Sequence, residues 1–322
     1  MQKVLKSYLE YLCGAKNVGE NVLLSTKTTF QIGGAAKFFV TVRSREVLLK
    51  LLSALNYIEE PWFIIGAGAN LLAPDKGFDG VVIKLGFDEI VQNGAFLYAD
   101  AGCSLGKLAM EAQRRLLSGL EWLVGIPGTV GGGVYMNAGA YGGSFSDCCV
   151  CVDVLRNDEE GFVIETIDAP RLKFAYRKSI FQRRKNWVIL GAYFHLSHGV
   201  AKDIQAKMNE NNEKRRKSIP TQPSGGSTFR KPAPDFYVGT TIERLGFKGG
   251  RIGGAMVSDK HAGIIVNVGG ATEKDVLELA KKIKKVVFDE TGARLELEYE
   301  RISKKIQRVT SGKKQSFKPD CP

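Results

Sequence analysis

The amino-acid sequence predicts an α+β protein with more than one domain. Short β-rich runs such as FFVTV and WFIIGAG are mixed with amphipathic helical segments, without the regular alternation of a parallel α/β protein. A stretch rich in proline and glycine, SIPTQPSGGS, interrupts regular structure in the second half of the chain. The 322 residues are 44% hydrophobic, which is enough for about two or three cores of ordinary size.

Apolar residues at helical spacing predict three helices in the first part of the chain. The first covers residues 2–13, and the second covers 45–55 with Ser44 as its N-cap. The third covers 104–117, and Gly119 follows as a stop signal. The runs FFVTV, WFIIGAG, VVIKL and LYADAG predict strands between them.

The rest of the chain predicts strands to about residue 197, followed by a charged helix and a domain boundary. The segment KDIQAKMNENNEKRRK predicts a surface helix, and the proline and glycine residues after it place a boundary near 200–220. The last third contains the strand IIVNV and a strong helix. That helix opens at Thr272 with Asp275 as a variant capping box, and it ends near Gly292.

The net charge of +12 is unevenly distributed along the chain. Residues 303–322 carry six Lys or Arg against one Asp, with few apolar residues, so we expect a disordered, solvated tail. The smaller positive excess elsewhere suits anionic small ligands. No apolar run approaches the roughly 18 residues of a membrane span, and the first residues lack a signal-peptide core. We therefore expect a cytoplasmic protein that binds neither membranes nor nucleic acid.

The six cysteines do not predict a metal site. Cys148 and Cys151 form a C-x-x-C pair, but a structural zinc site needs a second pair or nearby histidines. The three histidines are His195, His198 and His261, with no metal-ligand spacing to that pair. The alternating pattern of CCVCVDVL indicates a half-buried strand instead.

The first glycine-rich loop follows the apolar run PWFII. It is not a dinucleotide-binding fingerprint, because Leu71 stands where the third glycine would be and no helix fits before VVIKL. Glycines at such positions let backbone N–H groups approach an anion closely. The loop consists of Gly66, Ala67, Gly68, Ala69 and Asn70.

The second glycine-rich loop is the segment GIPGTVGGG, which starts at Gly125. Its five glycines and one proline in nine residues predict irregular structure. The hydroxyl of Thr129 suits a phosphate oxygen. Either loop alone is more often a plain turn, but the two together favour a cofactor that carries a pyrophosphate.

Six segments occur in an order typical of one family: GAGANLL, GIPGTVGGGVYMNAGAYGG, FAYRKSIF, PSGGSTFRKP, SDKHAGIIVN and LELEYERI. Together they resemble the UDP-N-acetylenolpyruvoylglucosamine reductase (UDP-N-acetylmuramate dehydrogenase) family, in its second type, from about Thr28 to Arg301. The resemblance implies an FAD-binding fold of the vanillyl-alcohol-oxidase type in residues 1–200, with its core in 30–198. It also implies an α+β substrate-binding domain in residues 201–302.

The resemblance implies that NADPH reduces a non-covalently bound FAD, which then reduces UDP-N-acetylenolpyruvoylglucosamine to UDP-N-acetylmuramate for peptidoglycan synthesis. The expected partners are therefore NADPH and the enolpyruvyl nucleotide sugar, and the expected state is a monomer. One alternative is another FAD-linked oxidoreductase of the same fold, acting on an alcohol or sugar. A non-catalytic nucleotide-sugar-binding relative is a second. No histidine precedes His195, which disfavours the covalent flavin of many such oxidases.

The same resemblance assigns three catalytic residues. Arg177 pairs with the substrate carboxylate, and Ser227 donates a proton to the α-carbon. Glu298, in its protonated form, stabilises the enol. Glu300 lies where the family often has a basic residue, and its charge would raise the pKa of Glu298 further. From the residues alone, each of the three also fits a turn or a strand surface.

The family resemblance also implies which residues bind the substrate and the cofactor. Arg215, Arg216 and Arg230 are also consistent with a solvated basic face. The implied substrate-binding residues are Tyr176, Arg215, Arg216 and Arg230. The implied cofactor-binding residues are Gly66, Ala67, Gly68, Ala69, Asn70, Leu71, Gly125, Ile126, Pro127, Gly128, Thr129, Gly131, Gly132, Ala138 and Gly139.

Overall fold

The computed structural model describes residues 2–158 and 161–302, so the predicted tail at 303–322 lies outside the described residues. Within the described ranges, no helix has both the length and the apolar character needed to span a bilayer. The helices are α1 (Gln2–Cys13), α2 (Arg45–Tyr57), α3 (Leu105–Arg114), α4 (Val130–Met136), α5 (Ala169–Leu172), α6 (Ala201–Ser218), α7 (Val238–Arg244) and α8 (Glu273–Thr291).

Two larger sheets, one three-stranded sheet and several short strand pairs make up the β-structure of the described residues. The strands of the first two thirds of the chain are β1 (Val18–Leu23), β2 (Ala35–Val42), β3 (Trp62–Ile65), β4 (Leu71–Leu72), β5 (Phe78–Leu85), β6 (Ile90–Asn93), β7 (Phe96–Asp100), β8 (Leu117–Ser118), β9 (Gly139–Ala140), β10 (Gly143–Ser144), β11 (Cys149–Asp158), β12 (Gly161–Asp168), β13 (Val188–His195) and β14 (Ser197–His198). Those of the last third are β15 (Phe229–Arg230), β16 (Arg251–Ile252), β17 (Ala255–Val257), β18 (Ile265–Asn267), β19 (Glu296–Leu297) and β20 (Glu300–Arg301).

The first sheet has the order β1-β2-β5-β3, in which β2 and β3 run parallel to β5 and β1 runs antiparallel to β2. The second sheet is antiparallel, with the order β12-β11-β13-β7-β6. One apolar core joins the two sheets with α1, α2 and α3. The two buried side chains of the polar helix α6, Ile204 and Met208, belong to this core as well.

A separate apolar core lies under α8 and the small sheet β16-β17-β18. It draws mainly on residues 229–299, but it also contains Phe30, Ile32 and Leu72 from the first part of the chain. The short parallel pair β20–β4 brings Glu300 opposite Leu71, directly after the first glycine-rich loop. The C-terminal region is therefore packed against that loop, although the domain boundary near 200–220 stays a prediction.

The helices with strong local end signals were predicted correctly. The Ser44 hydroxyl caps α2 by accepting from the Val47 N–H, and Thr272 and Asp275 form the capping box of α8. Gly292 ends α8 in the left-handed conformation, with φ of 71°. Helix α3 ends three residues before the predicted limit, because Leu116 adopts a φ of 56° and the chain then enters β8.

The prediction that GIPGTVGGG is irregular throughout was wrong, because α4 begins inside it. Thr129 is the N-cap and accepts a hydrogen bond from the Gly132 N–H. Close packing explains the glycines. A Cβ on Gly133 would lie 2.5 Å from the Phe145 ring, and a Cβ on Gly131 would lie 3.0 Å from that of Ala101. Tertiary contacts thus override the low helix propensity of glycine.

Candidate active site

The two glycine-rich loops are in contact. A Cβ added to Gly66 would lie only 2.6 Å from the Thr129 Oγ1 atom, so the first loop approaches the N-cap of α4 as closely as a glycine allows. Gly68 has a φ of 63°, and a Cβ there would lie 2.5 Å from the Lys27 carbonyl oxygen. Position 66 therefore requires glycine for space, and position 68 requires it for both conformation and space.

Backbone donors are left free where the loops meet. Among the described residues, none of the N–H groups from Gly66 to Asn70 donates a hydrogen bond to a protein acceptor, and neither do those of Gly128 and Thr129. Successive free N–H groups form a concave site for an anion, and a diphosphate fits this description. In contrast, the N–H groups of Val130 and Gly131 bond to the carbonyls of Cys103 and Ala101 at 2.9 Å.

Several predicted cofactor residues serve to connect the loops with their surroundings. The Asn70 side chain donates to the Glu298 carbonyl at 3.1 Å, and the Ala138 N–H bonds to the Gly133 carbonyl at 2.8 Å. The Gly139 carbonyl accepts from the Arg177 guanidinium at 3.0 Å. The loop region thus adjoins the predicted catalytic residues.

Arg177 and Glu298 form a partly buried ion pair, with 2.8 Å between Nε and Oε1. Arg177 adopts a left-handed conformation with φ of 55°, which costs a non-glycine residue about 1–2 kcal/mol. The Gln182 side chain supports it by donating to the Arg177 carbonyl at 3.0 Å. The backbone thus holds the Arg177 side chain toward Glu298 and Gly139.

Glu298 is buried, and the loss of hydration raises the pKa of its carboxyl above the usual range. The positive charges of Arg177 and Arg230 offset part of this increase. The suggestion that Glu300 raises the pKa further was wrong. The Glu300 carboxylate instead contacts the Tyr135 hydroxyl at 3.2 Å and the Lys185 ammonium at 3.1 Å.

Ser227 is exposed. A backbone hydrogen bond of its neighbour Thr228 places it beside the Arg177–Glu298 pair. The next residue, Thr228, accepts a hydrogen bond from the Glu298 N–H at 2.9 Å. The fully buried Thr228 hydroxyl also contacts the Tyr299 hydroxyl at 2.8 Å and accepts from the Ile265 N–H at 2.9 Å. The segment that carries Ser227 is therefore fixed against the strand that carries Glu298.

The four predicted substrate-binding residues are divided between two places. Tyr176 lies beside Arg177, with 5.2 Å between its ring centre and the guanidinium. Arg230 lies near Glu298, and its buried Nε has no hydrogen-bond partner among the described residues. Arg215 instead packs against the second glycine-rich loop, since a Cβ on Gly125 would lie 3.1 Å from its Cδ. Arg216 is exposed at the end of α6.

Two residues of the region were missed by the sequence analysis. Tyr135 and Lys185 bond to each other at 2.8 Å, and both contact Glu300. Tyr135 lies inside the segment GIPGTVGGGVYMNAGAYGG, but nothing in its spacing pointed to a partner. Within residues 2–158 and 161–302, no group of three His, Cys, Asp or Glu side chains is arranged to hold a metal ion.

Comparison with known proteins gives two family matches. The FAD binding domain family matches residues 36–165, and the C-terminal domain of UDP-N-acetylenolpyruvoylglucosamine reductase matches residues 219–302. The UDP-N-acetylenolpyruvoylglucosamine reductase of Pseudothermotoga lettingae is 42% identical over 278 residues, which cover 86% of this chain and 95% of that protein. The chain belongs to the UDP-N-acetylenolpyruvoylglucosamine reductase family. The predicted family is thereby confirmed.

Other members of the family agree over nearly the whole chain. The reductase of Bacillus subtilis is 37% identical over 305 residues, which cover 94% of this chain and 99% of that protein. The crystal structure of the reductase from Thermus caldophilus superposes with a TM-score of 0.75 at 35% identity and covers 88% of this chain and 98% of that one. The predicted fold class, an FAD-binding fold followed by the reductase C-terminal domain, is confirmed. The chain is an FAD-dependent oxidoreductase.

Proposed function

We propose that the chain reduces UDP-N-acetylenolpyruvoylglucosamine to UDP-N-acetylmuramate, with NADPH as the reductant, in the synthesis of peptidoglycan precursors. The observation that carries the proposal is the partly buried Arg177–Glu298 pair, which is joined through Gly139 to the region of two donor-rich glycine loops. The reduction develops negative charge on an enolpyruvyl carboxylate, and the pair supplies a guanidinium and a proton-bearing carboxyl to meet that charge.

The glycine loops bind the cofactor in this proposal. The free N–H groups of Gly66–Asn70, together with those of Gly128 and Thr129, donate to the FAD diphosphate. The Arg215 side chain lies beside Gly125, at the start of the second loop. FAD held there would supply the hydride chemistry, with NADPH as the hydride source and the β-carbon of the substrate double bond as the acceptor.

Arg177 binds the substrate carboxylate. Its planar guanidinium makes two parallel hydrogen bonds to a carboxylate, and these strengthen as charge accumulates in the enolate-like species. Arg177 donates its Nε–H to Glu298 and an Nη2–H to the Gly139 carbonyl. In this proposal the substrate carboxylate replaces Glu298 as the acceptor of the Nε–H. Arg230 supplies a second cation near Glu298.

Glu298 donates a hydrogen bond to the reaction intermediate, and Ser227 donates the proton that completes the reduction. The raised pKa of Glu298 favours the protonated carboxyl, which donates a hydrogen bond to the enolate oxygen. Ser227 is exposed beside Glu298 and donates the proton that the α-carbon takes up. Tyr176, Arg215, Arg216 and Arg230 contribute to binding the nucleotide sugar, and residues 201–302 form the substrate-binding domain.

Product analysis tests the proposal. We expect the purified protein to consume NADPH and the enolpyruvyl nucleotide in equal amounts and to release a nucleotide sugar heavier by the mass of two hydrogens. An oxidoreductase for an alcohol or sugar would leave the enolpyruvyl nucleotide unchanged and reduce its flavin with the alcohol. A non-catalytic relative would bind the nucleotide without consuming NADPH.

A further inference from the structure

Two ion pairs join the same two segments of the chain. The first segment is the arginine loop, residues 173–187 between α5 and β13, and the second is the C-terminal strand segment, residues 298–301. Arg177 contacts Glu298 at 2.8 Å, and Lys185 contacts Glu300 at 3.1 Å. The proposed function uses the Arg177–Glu298 pair, here called the inner pair. It leaves the Lys185–Glu300 pair, here called the outer pair, without a role.

The two pairs differ in how far they are exposed. The side chains of Arg177 and Glu298 are 22% and 10% exposed, whereas those of Lys185 and Glu300 are 53% and 25% exposed. Burial lowers the pKa of Lys185, but the Tyr135 hydrogen bond and the Glu300 charge outweigh this effect, so the pKa is raised. Lys185 thus stays a cation that can hold Glu300.

Tyr135 connects the outer pair to the cofactor region. Its hydroxyl lies 2.8 Å from the Lys185 Nζ and 3.2 Å from the Glu300 Oε2, and its carbonyl accepts from the Ser179 hydroxyl at 2.6 Å. Tyr135 belongs to α4, the helix that begins in the second glycine-rich loop. The outer pair therefore meets three segments: α4, the arginine loop and the C-terminal strand segment.

The inner pair cannot hold these segments together throughout the reaction. In the proposed function, from which this inference starts, the substrate carboxylate takes Arg177 away from Glu298. The left-handed backbone of Arg177 then loses one of the contacts that keep it in place. A second link is needed if the guanidinium is to stay aligned with the substrate.

We propose that Lys185 and Glu300 are positioning residues of the active site. Their ion pair, with the Tyr135 hydroxyl between them, fixes the arginine loop against the C-terminal strand segment. Arg177 can then exchange Glu298 for the substrate carboxylate without movement of the loop. Neither residue touches the substrate, so both act through Arg177.

The test compares single charge removals with a charge exchange in the flavin-loaded enzyme. Lys185→Gln and Glu300→Gln each remove one partner. The double variant Lys185→Glu/Glu300→Lys exchanges the charges, and Tyr135 can still bond to either residue. The matched control is Lys285→Gln, which removes one partner of the exposed Lys285–Asp289 pair on α8.

We expect each single variant to raise the KM for the enolpyruvyl nucleotide about threefold to fivefold, in keeping with an exposed ion pair. The rate of flavin reduction by NADPH should not change. Hydrogen exchange measured by mass spectrometry should become faster in residues 173–187. The double variant should restore both the KM and the exchange rate, and the control should match the wild type.

Two results would overturn the inference: single variants with unchanged KM and exchange, or a double variant as impaired as the single ones. The hydrogen-exchange measurement does not depend on turnover. A wild type that fails to reduce the enolpyruvyl nucleotide would therefore refute the proposed function, and the exchange rates would still report on the outer ion pair.

Discussion

The Nε atom of Arg177 donates a hydrogen bond of 2.8 Å to the Oε1 atom of Glu298, across 121 residues of sequence. The bond joins the loop before β13 to the end of the C-terminal domain, so two regions with separate apolar cores meet at one charged pair. The carboxyl is buried and its pKa is raised.

Glu298→Gln should separate the two half-reactions. Reduction of the flavin by NADPH should persist, whereas reduction of the enolpyruvyl nucleotide should slow by about 10²–10³-fold, because an amide is a weaker donor than the carboxyl. Rapid-mixing absorbance measurements on each half-reaction check this. Equal slowing of both halves would show that Glu298 acts before the substrate is reduced.

The rate of substrate reduction should depend on pH through Glu298. The protonated carboxyl is the active form, so the rate is highest below the raised pKa and falls as the pH increases through it. The pH profile of the wild type should show this descending limb, and the profile of Glu298→Gln should lack it. A descending limb that persists in the variant would belong to another group.

Ser227→Ala should also leave flavin reduction intact and lose most of the second half-reaction, by about 10²–10⁴-fold. Ser227 is exposed, so the free energy of unfolding should stay within about 0.5 kcal/mol of the wild type. Ser218→Ala, at an exposed helix end, is the matched control and should keep both rates. A fully active Ser227→Ala enzyme would remove the proton-donor role.

Gly66→Ala should weaken FAD binding by at least about tenfold, because the new methyl group would press against Thr129 at the proposed diphosphate site. The measurement is the flavin content after purification and the Kd for added FAD. Gly106→Ala is the control, because a Cβ there meets nothing within 4 Å. Normal flavin binding by Gly66→Ala would contradict the role given to the loops.

His261 should make the stability of the protein depend on pH. Burial lowers the pKa of its imidazole, and its Nδ1 accepts from the Gly263 N–H at 3.0 Å, which requires the neutral ring. The folded state therefore loses stability as the pH falls below about 6.5, the pKa in the unfolded chain. The loss of unfolding free energy between about pH 7.5 and about pH 5.5 should be smaller in His261→Gln. Urea unfolding at the two pH values checks this, and equal losses would contradict it.

Elements with local signals were predictable from the sequence. The caps at Ser44, Thr272 and Gly292 act within one helical turn, and they set the ends of α2 and α8 as expected. Helix α4 was not predictable, since its glycines disfavour a helix locally and tertiary packing against Ala101 and Phe145 accounts for Gly131 and Gly133.

The candidate site was only partly predictable. The two glycine-rich loops suggested an anion site because free N–H groups depend on local conformation. Arg177 and Glu298 were identified through family resemblance alone, since no periodicity relates residues so far apart. Tyr135 and Lys185 gave no signal, because their contacts with Glu300 arise from tertiary folding.

The most direct test of the central claim, that the flavin held by the glycine loops delivers hydride to a substrate beside Arg177 and Glu298, is an anaerobic absorbance titration of the purified protein. We predict a yellow protein that NADPH bleaches and that the enolpyruvyl nucleotide then returns to the oxidised spectrum. A colourless protein that takes up no added FAD, or a reduced flavin that the nucleotide leaves unchanged, would contradict the claim.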